Sequence, residues 1–281
     1  MTMTVSIRPL LRYSLLVLQI VLLIPIGWFM GHVLMPRGYS SKIAESLPLN
    51  LSSGPFQTTY YASQNAKGIL IVATGDGGWS QQWEEPLALH AAEVGYAVGG
   101  WDCRKFADTR TFNQEQLVEA FNAAVEAVRQ RASLPKNVPV WFTGWSTGAE
   151  WAVAAAATSR RPAHLIGVLA AAPGDRSRYG ISSGDLLGLP ATGPNSFALA
   201  DFAPALHGIR IAQFSAGLDP LDSATWLDAL SAQTPHKLIC IPGVPHDMGN
   251  SGARFLAEFD MAIQWTMDAP VPESAHKSPR Q

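Results

Sequence analysis

The sequence predicts an α/β domain with a mostly parallel sheet flanked by helices. Short apolar runs without polar alternation recur along the chain, as in strands buried on both faces, and helical patterns separate them. The composition agrees with a well-packed body, since 47% of the 281 residues are hydrophobic and 15% are charged. The predicted strands are 68–73, 97–101, 138–142, 165–171, 209–214 and 237–241, and the predicted helices are 83–94, 113–130, 147–157, 223–230 and 253–267.

The first element along the chain is an apolar segment that follows Arg8 and Arg12. Residues 15–30 form an apolar run that continues to Met35, which is long enough to span a bilayer. No cleavage site of small residues follows closely, so an uncleaved signal anchor at 1–37 is favoured over a cleaved signal peptide. The preceding arginines place the N-terminus in the cytoplasm, which predicts an inner-membrane protein with its domain in the periplasm.

Stretches rich in Ser, Gly and Pro divide the rest of the chain. Residues 38–55 are predicted to be a linker, 56–268 the folded domain, and 269–281 a disordered tail. Residues 174–208 have little periodicity and interrupt the alternation after the fourth of these strands. We therefore expect them to form a cap or lid over a site at the strand ends.

The charge balance and the rare residue types argue against several classes of function. The formal net charge is −2 at pH 7, which gives no electrostatic basis for binding nucleic acid. Cys103 and Cys240 each stand in an apolar run, so two buried free thiols are favoured over a disulfide or a metal pair. The sequence contains neither HExxH nor CxxC, and we expect no metal or other cofactor.

The most specific motif is Gly144-Trp145-Ser146-Thr147-Gly148, a G-x-S-x-G pentapeptide between a predicted strand and an alanine-rich helix. A sharp strand-to-helix turn strains the serine backbone and presents its hydroxyl at the carboxyl edge of the sheet. The flanking glycines allow the strand and the helix to approach closely. The N–H of Thr147, at the helix N-terminus, can stabilise an oxyanion. The motif therefore predicts Ser146 as a nucleophile.

A glycine-rich loop, TGDGGW at 74–79, directly follows the first predicted parallel strand. In hydrolases with a G-x-S-x-G turn, the equivalent loop supplies the second N–H of the oxyanion hole. The N–H of Asp76 is the first candidate and that of Gly77 the second. A dinucleotide-binding loop is the alternative, since the loop has a G-x-G spacing and Asp102 follows the next strand. Ser80 replaces the third glycine of that motif, and the alternative leaves the serine motif unexplained.

An acid and a base follow the nucleophile in the chain order Ser, Asp, His that this type of hydrolase uses. His246 stands in the loop after the last predicted strand. Asp219 and Asp222 both follow the strand before it. Asp219 is closer to the strand end and is the first choice for the acid, while Asp222 precedes a predicted helix and is alternatively its N-cap.

The motifs TGDGGW, GWDCRKFADTRT, GWSTGAE, ISSGDLLGL, AGLDPLDS and PHDMG resemble, in order and spacing, the bacterial virulence protein family typified by VirJ and the C-terminal domain of AcvB. The resemblance covers about residues 55–268. The loop that carries Asp219 and Asp222 departs from the family pattern. It implies an α/β-hydrolase fold in a periplasmic protein. It also implies that the substrate is the lysyl ester of phosphatidylglycerol, or that the protein takes part in type IV secretion.

Acidic side chains and tryptophans flank the predicted nucleophile in the sequence. A substrate with a cationic aminoacyl group needs carboxylates nearby, and tryptophans can form an apolar wall. The candidate substrate-binding residues are Trp79, Trp145 and Glu150, and the wider groups are the carboxylates Asp76, Glu84 and Glu85 and the tryptophans Trp83 and Trp151. The alternative is that Glu84 and Glu150 only complement the dipole in the first turn of a helix.

The sequence as a whole predicts a membrane-tethered esterase that acts on a small-molecule or lipid ester. Ser146 attacks the carbonyl, His246 transfers the proton, and Asp219 or Asp222 orients the imidazole. The alternative from another class is a non-catalytic periplasmic adaptor for a secretion assembly built on a hydrolase scaffold, since a fold does not determine function.

Overall fold

The computed structural model describes residues 43–80, 82–248 and 252–268. Its strands are β1 (Glu45–Leu51), β2 (Gly54–Tyr61), β3 (Ile69–Ala73), β4 (Ala97–Trp101), β5 (Val140–Trp145), β6 (Leu165–Ala171), β7 (Arg176–Arg178), β8 (Ser196–Ala198), β9 (Arg210–Ala216) and β10 (His236–Ile241). Its helices are α1 (Glu84–Glu93), α2 (Cys103–Thr109), α3 (Gln114–Arg131), α4 (Thr147–Ala156), α5 (Ser183–Leu186) and α6 (Gly252–Asp268), with 3₁₀ helices at Leu199–Ala205 and Thr225–Ala229.

Eight of these strands form one sheet in the order β1-β2-β4-β3-β5-β6-β9-β10. Six of them run parallel, namely β4, β3, β5, β6, β9 and β10, and β2 pairs antiparallel with both β1 and β4. Buried residues face both sides of the sheet in β3, β4, β5, β6 and β9, as the continuous apolar runs predict. The edge strand β10 departs from this prediction, because its residues before Ile241 alternate between exposed and partly buried. From β3 the chain passes to β4 on one side of it and then crosses back to β5 on the other side. The loops after β3 and β5 therefore meet at the position where α/β sheets form ligand sites.

The segment 45–55 corrects the predicted linker, because it forms β1 and the start of β2 at the edge of the sheet. Leu47, Leu49 and Leu51 alternate with exposed residues and are buried against the core, while Gly54 turns the chain with a φ of +107°. This two-residue period is a strand signal that the abundance of Ser and Pro obscures. The folded domain therefore begins before residue 56.

Two shorter predictions also need correction. Residues 225–229 form a 3₁₀ helix in place of the longer helix predicted at 223–230. The helix α2 has no counterpart among the predicted elements, although Asp102 caps it by accepting a hydrogen bond from the N–H of Lys105 at 2.8 Å. Cys103, in the first turn of α2, is buried, but Cys240 is exposed, so only one of the two thiols matches the expected burial.

The predicted lid contains ordered structure that packs on the helix after the nucleophile. The strands β7 and β8 form a hairpin, with α5 between them in the sequence. The indole of Trp151, in α4, donates to the carbonyl oxygen of Arg178 at 2.9 Å. The backbone N–H of Gly174 donates to the carboxylate of Glu150 at 2.9 Å. These contacts fix the segment over the carboxyl edge of the sheet.

The predicted signal anchor at 1–37 and the predicted tail at 269–281 lie outside the described residues. Within the described ranges, no helix combines the length and the hydropathy needed to cross a bilayer.

Candidate active site

The turn between β5 and α4 holds Ser146 in a strained conformation. Its φ is +52° and its ψ is −124°, a region that costs a non-glycine residue about 1 to 3 kcal/mol. A Cβ on Gly144 would lie 2.3 Å from the carbonyl carbon of Gly148, and a Cβ on Gly148 would lie 2.3 Å from the carbonyl oxygen of Thr74. Both positions therefore require glycine, because backbone atoms occupy the space of any side chain.

Three side chains form a hydrogen-bonded relay at the carboxyl edge of the sheet. The Oγ of Ser146 lies 3.0 Å from Nε2 of His246. The Nδ1 of the same imidazole lies 2.5 Å from Oδ2 of Asp219. The Asp219 side chain has no exposed surface, whereas that of His246 is 29% exposed. The arrangement has the geometry of a nucleophile, a general base and a carboxylate that orients the base.

Backbone contacts between two loops bring the acid and the base together. The N–H groups of Gly217 and Leu218 donate to the carbonyl oxygens of Ile241 and Val244 at 3.0 and 2.9 Å. These bonds join the loop after β9, which carries Asp219, to the loop after β10, which carries the histidine. The relay is therefore assembled by the ends of two neighbouring parallel strands.

Asp222, the second candidate for the acid, has a different set of contacts. Its Oδ2 accepts from the N–H of Ala216 at 2.8 Å, and its Oδ1 accepts from Nε2 of Gln213 at 3.0 Å. Burial raises the pKa of Asp222 above its usual value, and hydrogen bonds to Ser215 and Ala216 oppose that shift. The structure thus places Asp219 at the imidazole and uses Asp222 to fasten the loop to the end of β9.

The two predicted oxyanion donors with the best placement are Thr147 and Asp76, which line the same cavity as Ser146. Thr147 is the first residue of α4, where N–H groups have no acceptor within the helix. Gly77, the second candidate in the glycine-rich loop, is not among the cavity-lining residues. The loop turns through a bond from the N–H of Gly78 to the carbonyl oxygen of Gly75 at 3.2 Å.

Two buried glutamates at the start of α1 hold the glycine-rich loop from behind. Glu84 accepts from the N–H of Gly75 at 3.3 Å and from the hydroxyl of Ser80. Glu85 accepts from the indole N–H of Trp79 at 2.8 Å and from the hydroxyl of Tyr61. Burial raises the pKa of Glu84 to about 7. Neither glutamate lines the cavity, so the structure does not support the expectation that they contact substrate.

The two tryptophans predicted to bind substrate occupy other places. Trp79 is buried, and its ring stacks on Tyr61 with centroids 5.8 Å apart. Trp145 packs against the imidazole of His246 at 5.3 Å, and its indole N–H donates to the histidine carbonyl at 2.7 Å. A Cβ on Gly75 would lie 2.7 Å from this indole. Trp145 therefore packs between the glycine-rich loop and the loop that carries His246. The prediction that these tryptophans line the substrate site depended on the direction of their side chains, which the sequence does not reveal.

A cavity of about 550 Å³ opens beside Ser146 and carries both charge and apolar surface. Glu150 is buried in its wall and accepts from the N–H of Gly174. Burial raises the pKa of Glu150 to about 7, and the carboxylates of Asp185 and Asp76 act in the same direction. The lining residues that sequence reasoning missed belong to the lid and to the loop after β9 that carries Asp219, here called the acid loop: Gly174, Asp175, Arg176, Ser177, Arg178, Gly180, Asp185, Gly188, Leu189, Pro190, Ala191, Pro220, Leu221 and Ser223.

In the part of the chain that the structure describes, no group of three or more His, Cys, Asp or Glu side chains is arranged to hold a metal ion.

Comparison with solved structures identifies the fold as that of the α/β hydrolases. DcsB in complex with its substrate analogue superposes with a TM-score of 0.62 at 12% identity, covering 79% of this chain and 99% of that one. Est1E from Butyrivibrio proteoclasticus gives 0.58 at 12%, covering 80% and 99%. Dienelactone hydrolase from Anabaena variabilis gives 0.56 at 19%, covering 80% and 96%. No protein-family model and no curated protein matches the chain.

Proposed function

We propose that this protein is a serine ester hydrolase in which Ser146 is the nucleophile, His246 the general base and Asp219 the orienting acid. The observation that carries the proposal is the continuous relay from Ser146 Oγ to Nε2 at 3.0 Å and from Nδ1 to Asp219 at 2.5 Å. The strained backbone of the serine supports it, because such strain persists at positions that require a particular side-chain direction.

The reaction follows from the placement of these groups. Asp219 holds the proton on Nδ1, so that Nε2 of His246 can accept the proton of the Ser146 hydroxyl as Oγ bonds to the ester carbonyl carbon. The N–H groups of Thr147 and Asp76 stabilise the oxyanion. His246 then protonates the departing alkoxide as the ester C–O bond breaks, and water, activated in the same way, hydrolyses the acyl-enzyme.

The acidic wall of the cavity supports a cationic substrate group. Asp76 and Glu150 both line the cavity with the nucleophile, and each raises the electrostatic cost of a further negative charge. An ammonium group between them would relieve that cost. We therefore extend the proposal to aminoacyl esters, and the resemblance to the VirJ and AcvB family suggests lysyl-phosphatidylglycerol, hydrolysed in the periplasm by a membrane-anchored protein.

The test of the hydrolase proposal is labelling of Ser146 by a fluorophosphonate probe, compared with the Ser146→Ala variant. Wild type should be labelled and should hydrolyse p-nitrophenyl acetate, while Ser146→Ala should do neither. Labelling without hydrolysis of any ester would favour the alternative of a non-catalytic adaptor. Absence of labelling in a folded protein would remove the nucleophile from the proposal.

The substrate proposal needs a separate comparison. The comparison is made above the raised pKa of Glu150, which is about 7, so that Glu150→Gln removes a charge from the cavity wall but keeps an acceptor for the Gly174 N–H. We expect it to raise KM for a lysyl ester by about 10-fold or more, with a smaller change for a neutral ester of similar size. Glu84→Gln is the control, since Glu84 lies behind the glycine-rich loop and not in the cavity. An equal loss on both esters would make Glu150 structural.

A further inference from the structure

Two leucines lie at the mouth of the cavity, and binding of an ammonium group by the carboxylates of the cavity wall does not account for them. Leu189, in the lid, is 58% exposed, and Leu221, in the acid loop, is 46% exposed. Both line the cavity that contains Ser146. Exposed aliphatic side chains are common one at a time, but a pair from separate chain segments at the rim of a reactive cavity marks an apolar binding surface.

The backbone holds Leu189 in its outward position. The N–H of Leu189 donates to the carbonyl oxygen of Gly184 at 2.9 Å, and the N–H of Gly188 donates to that of Asp185 at 2.9 Å. The Asp185 carboxylate in turn accepts from Nε of Arg178 at 3.0 Å. Gly188 completes the turn with a φ of +69°. The turn is therefore fastened on several sides, and the leucine does not need to be ordered by a ligand.

The position of Leu221 is tied to the catalytic relay. Its backbone N–H donates to Oδ1 of Asp219 at 2.8 Å, while Oδ2 of the same carboxylate faces the imidazole. A Cβ on Gly188 would lie 3.2 Å from Cδ1 of Leu221, so the lid turn and the acid loop pack together. Leu189 and Leu221 thus belong to one apolar surface that begins beside the histidine.

We propose that Leu189 and Leu221 form an aliphatic subsite for the hydrocarbon chain of the ester that Ser146 attacks. The proposal rests on the esterase function above and adds its chain specificity. Pro190, Ala191 and Pro220 complete the apolar part of the lining. A chain bonded to the ester is the occupant that reaches both the leucines and the nucleophile within one cavity, since an occupant of the rim alone would leave the cavity beside Ser146 unfilled.

The test measures kcat/KM along two series of esters with wild type, the two single alanine variants and the double variant Leu189→Ala/Leu221→Ala. The first series lengthens the acyl part, from p-nitrophenyl acetate to octanoate, and the second lengthens the alcohol part, from ethyl to octyl acetate. We expect the ratio of long-chain to short-chain kcat/KM to fall about 10-fold per leucine in one series. The series that responds identifies which side of the ester the subsite binds.

The matched control is Leu238→Ala, because Leu238 is 50% exposed on β10 and does not line the cavity. It should leave both ratios at the wild-type value. An unchanged ratio in the double variant, or an equal change in Leu238→Ala, would overturn the subsite while fluorophosphonate labelling of Ser146 still supports the hydrolase. If wild type is not labelled and hydrolyses no ester, both proposals are overturned.

Discussion

Replacing Asp219 by asparagine tests the relay most directly, because the structure dictates which way the new amide must point. Oδ1 of Asp219 accepts the N–H of Leu221 at 2.8 Å, and this donor keeps its acceptor only if an oxygen occupies that position. The amide oxygen will therefore take that position. The amide NH₂ then faces Nδ1 of His246, which lies 2.5 Å from Oδ2 in the native relay.

An NH₂ group at this position changes which imidazole nitrogen carries the proton. Nδ1 of His246 becomes an acceptor, so the ring proton moves to Nε2, which can no longer accept the proton of Ser146. In triads of this type, the same change lowers kcat by about 10⁴-fold, equivalent to about 5 kcal/mol in the activation free energy. We expect Asp219→Asn to lower kcat on p-nitrophenyl acetate by about 10³ to 10⁴-fold.

The matched variant is Asp222→Asn, which alters the other aspartate of the loop. Its carboxylate accepts from Ala216 N–H and from Gln213, so an amide with one oxygen leaves one donor without an acceptor. We expect about 1 to 3 kcal/mol less stability in urea unfolding, with kcat lowered less than 10-fold in the folded protein. The reasoning is refuted if Asp219→Asn keeps wild-type kcat, or if a folded Asp222→Asn loses as much.

The remaining predictions concern the turn, the core and pH. Gly148→Ala should abolish activity and lower the thermal midpoint, because its Cβ would overlap the Thr74 carbonyl oxygen at 2.3 Å. Thr266→Val should cost about 1 to 3 kcal/mol in urea unfolding, since it removes the buried 2.6 Å acceptor of the Trp141 indole. Because the pKa of Glu84 is raised to about 7, the folded state binds its proton more tightly than the unfolded state. Its contribution to stability should be present below pH 4 and lost as pH rises through 7, and Glu84→Gln should flatten that dependence in unfolding experiments.

The strands could be predicted from the sequence because burial on both faces leaves long apolar runs, as in β3 and β6. The serine turn was also recognisable, since its two glycines are needed for contacts between backbones. The β1–β2 hairpin was missed because half of its residues face solvent and Pro48 occurs within it. Its alternating leucines were a weaker signal than the continuous runs of the central strands.

The parts of the site that could not be predicted from the sequence depend on where a side chain points and not on its position along the chain. Asp219 and Asp222 follow the same strand three residues apart, and only the hydrogen bonds of the loop decide which one faces His246. Trp79 and Trp145 stand next to functional residues in the chain, yet their rings point into packing contacts. The lid residues at the cavity have no motif, because their role comes from folding back over the strand ends.

The course of the first strand determines how the domain can be attached to anything else. β1 and β4 both pair antiparallel with β2, so β1 runs in the same direction as the parallel strands and the chain enters from their amino ends. At the other end, Thr266 contacts Trp141 near the start of β5. Both ends of the described domain therefore leave on the side away from the nucleophile.

Immobilisation through either end would accordingly leave the cavity open to solvent. An ester in the aqueous phase would then meet the mouth of the cavity directly. A support or a fusion partner joined near Glu45 or Thr266 should therefore leave ester hydrolysis unchanged.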